Sequence, residues 1–521
     1  MLQRMIDADP LLAERAGART ARPDDIRGIV ISPTRELAEQ IAAEAKRLVR
    51  HTGLVVQVAV GGTRKREMLM GLQRRGCHLL VATPGRLNDI LEDPVAQVKA
   101  PKLDALVLDE ADRMLDVGFA PTLEDIKRKL PDPRDRPHQT MLFSATIPPK
   151  VIDLAKAMVR RDQFEFVQTI KEDDAPTHER VPQEIAICRG YIQLFPTLYE
   201  IIDREMEKAA NTPGARPFKA IVYFNTTTMA EMAMALNQNM RRQENSTISR
   251  TPTMFIHGKI AQNQRTRAAD NFRRARSAIL FSSDVTARGM DFPNVTHVIQ
   301  IGVPRDREQY IHRLGRTGRQ GKEGSGYLII PESDAREAAQ QLAGVGLKDS
   351  KDLESPHVKI QTAEDLPERF QSVTEAFTQL SDSLMGQTYT SLFGGLSSRD
   401  IHQALPEINT WATVGWGKER PPPVNSHWLK KMGYQGVRGF NVSSGFRERE
   451  DRSFSRGPSR DGFQPSSSSS FDDFESQFGQ QQQRRGGGGG FRQRSNSFGG
   501  GRGRGDRDFG GRSRGRGSWD N

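Results

Sequence analysis

The stretch Ala105-Leu106-Val107-Leu108-Asp109-Glu110-Ala111-Asp112 joins an apolar run to a cluster of carboxylates. A short apolar run bounded by polar residues predicts a buried strand of a parallel sheet. The carboxyl ends of such strands face the crevice in which α/β proteins bind ligands. Adjacent Asp109 and Glu110 at that edge predict a site that holds Mg²⁺ through water and orients an attacking water. Taken alone, these acids fit the start of the next helix equally well, because the helix dipole favours Asp and Glu there.

Composition narrows the class of protein. A chain of 521 residues is too long for one domain, and a hydrophobic share of 36% is low for a chain folded throughout. The net charge of +11 favours a polyanionic partner, nucleic acid first. Two cysteines, Cys77 and Cys188, cannot form a disulfide framework or a zinc site. No stretch approaches the roughly 20 apolar residues that a spanning helix needs, so no membrane partner is expected.

Apolar strands alternate with helical patterns in two segments, which predicts two α/β units with parallel sheets. The predicted strands are Gly28–Ile31, Leu54–Val60, His78–Ala82, Ala105–Leu108 and Met141–Phe143, then Ala220–Phe224, Thr253–Ile256, Ala278–Phe281, His297–Ile301 and Gly326–Ile330. The predicted divisions are a first domain at 1–168, a linker and entry to the second domain at 169–217, the second domain at 218–345, a small, mostly helical extension at 346–440 and a disordered tail at 441–521.

Six further motifs follow predicted strands or open predicted helices. They are Pro33-Thr34-Arg35-Glu36-Leu37, Gly61-Gly62, Thr83-Pro84-Gly85-Arg86, Ser144-Ala145-Thr146, Ser283–Asp291 and His312–Arg319. Backbone N–H groups at helix starts suit phosphates, and tight Pro and Gly turns let a strand of nucleic acid approach closely. Each of these turns, taken alone, is more often an ordinary connection between a strand and a helix.

In order and placement, the seven motifs together resemble the DEAD-box family of ATP-dependent RNA helicases over roughly residues 25–335. The resemblance implies two tandem RecA-like domains, ATP and Mg²⁺ as cofactors, and RNA bound mainly through its phosphate backbone. The catalytic residues that it implies are Asp109, Glu110, Asp112, Ser144, Thr146, His312, Arg316 and Arg319.

The resemblance also assigns roles within that set. Asp109 and Glu110 would hold Mg²⁺ through water and position the hydrolytic water, and Asp112 would pair with the interdomain motifs. Arg316 and Arg319 resemble arginine fingers, and His312 would contact the acidic motif of the first domain. Nucleotide-binding residues would be Asp109, Glu110, Gly289, Asp291, Arg316 and Arg319. Ser144 and Thr146 would link hydrolysis to RNA separation, although alone they read as helix caps.

RNA contacts are implied for the turns at three strand ends and for one helix. The implied residues are Pro33, Thr34, Arg35, Gly61, Gly62, Thr83, Pro84, Gly85, Arg86, Gln264 and Arg267. Gln264 and Arg267 match the family's Q-x-x-R helix motif, and an exposed polar helix face is the alternative interpretation.

One family element is missing, because no G-x-x-x-x-G-K-[ST] phosphate-binding loop occurs anywhere in the chain. Its backbone N–H groups and Lys would cradle the β- and γ-phosphates. The strand that carries the loop is an interior strand of the family's sheet, so its loss leaves unpaired ladder groups and uncovered apolar neighbours. We therefore expect an N-terminally truncated chain with impaired ATP hydrolysis.

The tail interleaves Arg-Gly repeats with Phe491, Phe498, Phe509 and Trp519. Such segments bind RNA weakly and without sequence preference, and a solubilising or phase-separating role is the alternative. The extension and basic tail are similar to those of fungal mitochondrial DEAD-box helicases. A mitochondrial location is therefore expected, with nucleus or cytoplasm as the alternative.

The leading hypothesis is an ATP-dependent RNA helicase and RNA chaperone that separates RNA duplexes locally. A non-catalytic RNA clamp derived from the helicase fold is the second hypothesis, since the phosphate loop is absent. The four nucleotide-side residues Asp109, Glu110, Arg316 and Arg319 argue against a clamp, which has no need of them all. A DNA helicase is disfavoured by the match to an RNA-acting family.

Overall fold

The computed structural model describes residues 1–443, apart from 63, 117, 160–163, 169–180, 244–245, 288, 320–321, 361 and 397–399. The predicted Arg-Gly tail lies almost wholly outside the described residues. Within them, no helix is both long and apolar enough to cross a bilayer.

The first domain is a parallel sheet of five described strands in the order β2-β3-β1-β4-β5. The strands are β1 Gly28–Ile31, β2 Val56–Ala59, β3 Leu79–Ala82, β4 Ala105–Leu108 and β5 Gln139–Leu142. The helices are α1 Leu2–Ala8, α2 Arg35–Leu48, α3 Lys65–Arg75, α4 Pro84–Glu92, α5 Ala111–Asp116, α6 Ala120–Lys129 and α7 Pro149–Met158. All five predicted strands are present: β1 and β4 have the predicted ends, and the ends of β2, β3 and β5 shift by no more than two residues.

The central strand β1 shows why the apolar runs become strands. All four of its residues are buried; Ile29 and Ile31 pack into one hydrophobic cluster and Val30 into another. Because side chains alternate along a strand, a run that is apolar at every position needs cover on both faces. The helices supply that cover.

Strand β5 is the exception in this sheet. Among the described residues it pairs with β4 alone, and none of its four residues is fully buried. The residues that follow it include Phe143 and Ile147, whose exposures are 54% and 51%. Strand β5 is therefore an edge strand of the described sheet, and its position beside a loop strand of the family stays a prediction.

The second domain is a parallel sheet of seven described strands in the order β12-β6-β11-β10-β7-β9-β8. The strands are β6 Gln183–Cys188, β7 Lys219–Phe224, β8 Thr253–Ile256, β9 Ala278–Ser282, β10 His297–Ile301, β11 Ser325–Pro331 and β12 Lys348–Asp349. The helices are α8 Leu194–Asn211, α9 Thr227–Met240, α10 Gln262–Arg274, α11 Arg307–Leu314 and α12 Ala335–Gln341.

The second sheet is wider than the predicted range 218–345. Strand β6 falls within residues 169–217, predicted as a linker and entry to the second domain, and the two-residue β12 falls within the predicted extension. Strand β6 was not predicted because it begins with the polar residues Gln183 and Glu184, and β12 is too short to give a recognisable pattern. The division of the remaining chain into domains at 1–168, 169–217 and 346–440 stays a prediction.

The extension is helical in the described part, as expected, but it shares its core with the second domain. Its helices are α13 Glu368–Thr378, α14 Asp382–Leu392, α15 Ile401–Thr410 and α16 Ser426–Met432. Trp411 packs 6.0 Å from Phe195 of α8 and 6.0 Å from Phe377 of α13, measured between ring centroids. Aromatic pairs of this kind add to the free energy of burial, so the extension is fixed on the second sheet.

A carboxylate pair lies where α15 meets the second domain. Ser333 Oγ donates to Glu407 Oε2 at 2.9 Å and to Asp334 Oδ1 at 3.3 Å. Burial raises the pKa of Asp334 to about 7, with Glu337 and Asp400 adding to the shift. Burial, then the charges of Asp334 and Glu332, raises the pKa of Glu407 to about 7.

The pair predicts a stability that depends on pH. Because folding raises both pKa values, the folded state holds extra protons, and its stability falls as pH rises from about 4 through about 7. We expect Glu407→Gln to raise the free energy of unfolding at pH 8 by on the order of 1–3 kcal/mol and to change little at pH 4. Thermal unfolding of both proteins across this pH range is the measurement. A gain of equal size at both pH values would contradict the prediction.

Candidate nucleotide and nucleic-acid site

The predicted motifs of the first domain meet at one edge of the sheet. Pro33–Arg35 follow β1, Gly61–Gly62 follow β2, Thr83–Arg86 follow β3, Asp109 follows β4 and Ser144 follows β5. Because all five strands are parallel, their carboxyl ends share that edge. The topology therefore gathers residues that are up to 111 positions apart in the chain, from Pro33 to Ser144.

Asp109 and Glu110 lie at the centre of this edge. Asp109 Oδ1 accepts from the backbone N–H of Glu110 at 3.1 Å. Burial raises the pKa of Asp109, and the charge of Asp112 adds to the shift. Glu110 has φ of +51°, a left-handed conformation that side chains with a Cβ rarely adopt. Backbone strain of this kind persists mainly at functional sites.

The carboxylates of Asp109 and Glu110 suit Mg²⁺, and they do not form a metal site made of protein ligands alone. Mg²⁺ is usually held by one or two carboxylates, with waters and substrate phosphates completing its shell. Asp109 and Glu110 supply such a pair, and burial of the Asp109 carboxylate favours a cation beside it. In the described part of the chain, no group of three or more His, Cys, Asp or Glu could hold a metal by itself.

Asp112 connects the first domain to the second. Its Oδ2 lies 3.5 Å from His312 Nε2 of the second domain and accepts from Thr146 Oγ1 at 3.3 Å. Ser144 Oγ donates to the Thr146 carbonyl at 2.6 Å, which holds that loop beside Asp112. The structure thus brings together four residues that the sequence could place only separately.

Two arginines approach from the second domain. Burial, followed by the charge of Arg319, lowers the pKa of Arg316 to about 10, and the charge of Glu110 opposes that shift. Arg316 Nη1 donates to the Met290 carbonyl at 2.7 Å. Arg319 Nη1 pairs with Asp291 Oδ1 at 2.8 Å. The charge of Glu110 in the first domain therefore acts on Arg316, while Arg319 is held by Asp291, the predicted ribose acceptor.

The predicted RNA contacts of the first domain cluster around Arg35. Its guanidinium lies directly on the Gly61–Gly62 turn, where a Cβ on Gly62 would clash with it. Gly62 has φ of +75°, which also favours glycine. Thr34 Oγ1 caps α2 by accepting from Leu37 N at 3.4 Å. Arg86 contributes a second cation to the same cluster.

The glutamine and arginine of α10 that contact the first domain stand two residues before the pair predicted to bind RNA. Gln262 Nε2 donates to Glu36 Oε1 at 3.0 Å, and Arg265 Nη2 pairs with the same oxygen. Gln262 and Arg265 also have the Q-x-x-R spacing, so the motif had two possible registers in the sequence. The predicted Arg267 is exposed, and the assignment of RNA contacts to Gln264 and Arg267 stays a prediction.

Sequence reasoning missed a second connection near the nucleotide side. Arg313, within the His312–Arg319 motif, is fully buried, and its Nε pairs with Asp284 Oδ1 at 2.7 Å. Arg113 Nη2 of the first domain donates to the Asp284 carbonyl at 3.4 Å. Arg313 lies within a predicted motif and Arg113 directly follows one. The sequence does not distinguish them from surface arginines, because their contacts with Asp284 are visible only in the structure.

Comparison with known proteins agrees with this geometry. Residues 10–154 match the family model for the DEAD/DEAH box helicase, and residues 200–321 match that for the helicase conserved C-terminal domain. The chain is 47% identical over 461 residues to the ATP-dependent RNA helicase cyt-19, mitochondrial, of Neurospora crassa. The chain belongs to the DEAD-box helicase family.

Other DEAD-box proteins match over much of their length. The ATP-dependent RNA helicase mss116, mitochondrial, of Aspergillus fumigatus is 44% identical over 435 residues. The alignments cover 88% and 81% of this chain, and 72% and 66% of the Neurospora and Aspergillus relatives. A solved structure of the DEAD-box helicase Mss116 bound to single-stranded RNA and UDP-BeF superposes with a TM-score of 0.67 and 28% identity, covering 84% of this chain and 87% of that one.

The left-handed backbone of Glu110 predicts that glycine is more stable than alanine at this position, the reverse of their order inside a helix. We expect Glu110→Gly to be more stable than Glu110→Ala by about 1 kcal/mol, because glycine adopts φ of +51° without strain. The matched control is Glu124, an exposed residue of α6, where glycine should be less stable than alanine by about 1 kcal/mol. Thermal unfolding of the four variants checks both signs. The same order at both positions would show that Glu110 is unstrained.

Proposed function

We propose that this protein is an ATP-dependent RNA helicase and RNA chaperone that separates RNA duplexes locally. The observation that carries the proposal is the pairing of Asp112 with His312 and Thr146, which joins the carboxylate site to the second domain. A change at the nucleotide therefore reaches both sheets. The relatives' names support the activity, and two of them name mitochondria, so we assign the protein to that compartment.

The chain's own residues account for most of the chemistry. Asp109 and Glu110 would hold Mg²⁺, which when bound neutralises charge on the phosphates. Glu110 orients the attacking water, and Arg316 places a cation opposite the carboxylates, where negative charge develops. Asp291 would accept from a ribose hydroxyl of bound ATP, and Arg319, which pairs with Asp291 in this structure, would then be available to the phosphates.

RNA binding follows from the turns at the ends of β1, β2 and β3. Thr34 and Thr83 are the N-cap residues of helices α2 and α4, whose first turns present backbone N–H groups, and Arg35 and Arg86 add charge beside them. Such contacts recognise phosphate and sugar, not bases, so we expect a broad choice of RNA. Closure of the two domains over one bent strand would displace its partner.

The missing phosphate-loop motif favours a second candidate function for the 521-residue chain, an RNA clamp. Without the loop, the β- and γ-phosphates lose their backbone cradle and its lysine. We infer that this chain by itself hydrolyses ATP poorly, although its other nucleotide residues are in place.

Hydrolysis assays separate the two candidates. We expect the chain to bind single-stranded RNA while its RNA-stimulated ATP hydrolysis stays within about threefold of that of Glu110→Gln, since both lack an essential part of the site. Steady-state hydrolysis and duplex separation, with and without RNA, are the measurements. Hydrolysis that RNA stimulates and Glu110→Gln abolishes would contradict the impairment and establish an active helicase. Absence of RNA binding would contradict both candidates.

Salt dependence tests the phosphate contacts. We expect Arg86→Met to weaken RNA binding about equally for different sequences and to reduce the slope of log affinity against log salt by about 1, because one released counterion is lost. The control is Arg134→Met, an exposed arginine paired with Asp132. Fluorescence anisotropy at several salt concentrations gives the slope. An unchanged slope for Arg86→Met would place this side chain outside the RNA interface.

A further inference from the structure

A small pocket opens on the second domain beside the two arginines of the nucleotide site. Its volume is about 150 Å³, which is room for one compact ion. The charged residues that line it are Arg216, Arg316, Arg319, Lys322 and Asp291. Arg216, Asn294 and Lys322 stand before β7, β10 and β11, so the parallel pairing of these strands brings them to the amino edge of the sheet. Four cations and one carboxylate therefore share this space, which we call the amino-edge pocket.

The outer cations of the amino-edge pocket are bonded to uncharged oxygens. Arg216 Nη2 donates to the carbonyl of Glu323. Lys322 Nζ donates to Asn294 Oδ1 at 2.9 Å, and the Lys322 residue is exposed to solvent. A guanidinium and an ammonium each carry several N–H donors, so both side chains can also donate to an anion. Because neither of these oxygens carries a charge, they leave the two cations unneutralised.

The inner cations of the pocket repel each other. Burial, followed by the charge of Arg319, lowers the pKa of Arg316 to about 10. Arg316 Nε is buried and has no hydrogen-bond partner within the described residues. Arg319 pairs with Asp291, whose side chain is 73% exposed. An anion beside Arg316 would supply an acceptor and would favour the charged form of both arginines.

A buried lysine adds positive charge behind the wall of the pocket. Lys219 is 1% exposed, and its Nζ donates to the carbonyl of the lining residue Pro293 at 3.0 Å. This Nζ also lies 4.8 Å from the centroid of the Phe272 ring. Burial, followed by the charge of Arg273, lowers the pKa of Lys219 to about 8, so the group is mainly charged at pH 7. A charge that is poorly solvated acts strongly on a neighbouring ion, so the wall of the pocket also attracts anions.

We propose that the amino-edge pocket binds inorganic phosphate at a position separate from that of the γ-phosphate of ATP. Arginine donors match phosphate oxygens in pairs, and lysine adds a point charge. The charge of Glu110 acts on Arg316, and Lys322 is exposed, so the cations of the pocket lead from the nucleotide cleft to solvent. Hydrolysis of ATP releases a phosphate ion in that cleft. The inference therefore deepens the proposed function, on which it rests for the source of the phosphate.

The test is equilibrium dialysis of the full-length chain against radiolabelled inorganic phosphate at pH 7, without nucleotide or RNA. We expect about one phosphate per chain, because the pocket has room for one compact ion. Arg216→Gln and Lys322→Gln should each weaken binding about tenfold, since each removes a charge-assisted hydrogen bond. The matched control is Arg305→Gln, which removes the same charge from a 66% exposed side chain after β10, at the carboxyl edge of the same sheet. Its affinity for phosphate should stay within about twofold of that of the parent chain, because salt screens distant exposed charges.

Phosphate binding that is equal in the parent chain and both pocket variants would overturn the proposal, as would an equal loss in Arg305→Gln. No bound phosphate in the parent chain would also overturn it and leave the proposed function intact. Thermal unfolding shows which variants are folded, and one folded pocket variant decides the test.

A second arm distinguishes free phosphate from the phosphates of RNA. Single-stranded uridylate RNA, added to the same samples, should leave the labelled phosphate bound. Displacement of the phosphate by bound RNA would assign the pocket to RNA and overturn the assignment to the free ion. Anisotropy of labelled RNA shows whether RNA binds, and its failure to bind would overturn the proposed function but not the pocket.

Discussion

Parallel pairing of β4 with β1 and β5 is the constraint on which the functional geometry depends. Strands that run in one direction end at one edge, so the turns after β1, β2 and β3 join Asp109 and Ser144 there. The register of pairing also makes these strands end at the same level, because Ile31 stands opposite Leu108 and Leu108 opposite Leu142. The turns proposed to bind phosphate and the carboxylates Asp109 and Glu110 therefore lie along one edge of the sheet.

The second domain completes this edge through contacts of different strength. His312 approaches Asp112 and the charge of Glu110 acts on Arg316, while Arg265 reaches Glu36 at the start of α2. All of these side chains are largely buried between charged partners. Such contacts give little net stability but strong specificity, because misplacing one partner leaves a charge buried alone. An interface of this type allows the two domains to open and close as ligands bind and leave.

Much of this was visible in the sequence. Apolar runs such as Ala105–Leu108 fixed the strands, since every residue of such a run needs cover. Spacing alone could not show which Q-x-x-R pair contacts the first domain, because Gln262 and Gln264 both precede an arginine by three residues. Short or polar strands such as β6 left no usable pattern. The close approach of Gly289 to Leu37 and Thr34 could not be predicted either, because it depends on how the two domains meet and not on a local sequence pattern.

Strand β5 has consequences for how the purified protein would behave. No strand in the described part of the chain pairs with its outer side, which lies beside exposed Phe143 and Ile147. An uncovered apolar edge is a template on which any extended chain can add a strand. Concentration, temperature and the choice of chaperone would then govern the amount of monomer as strongly as the stability of the fold does. Charged or proline residues placed along this edge would keep the molecules apart without touching the cleft.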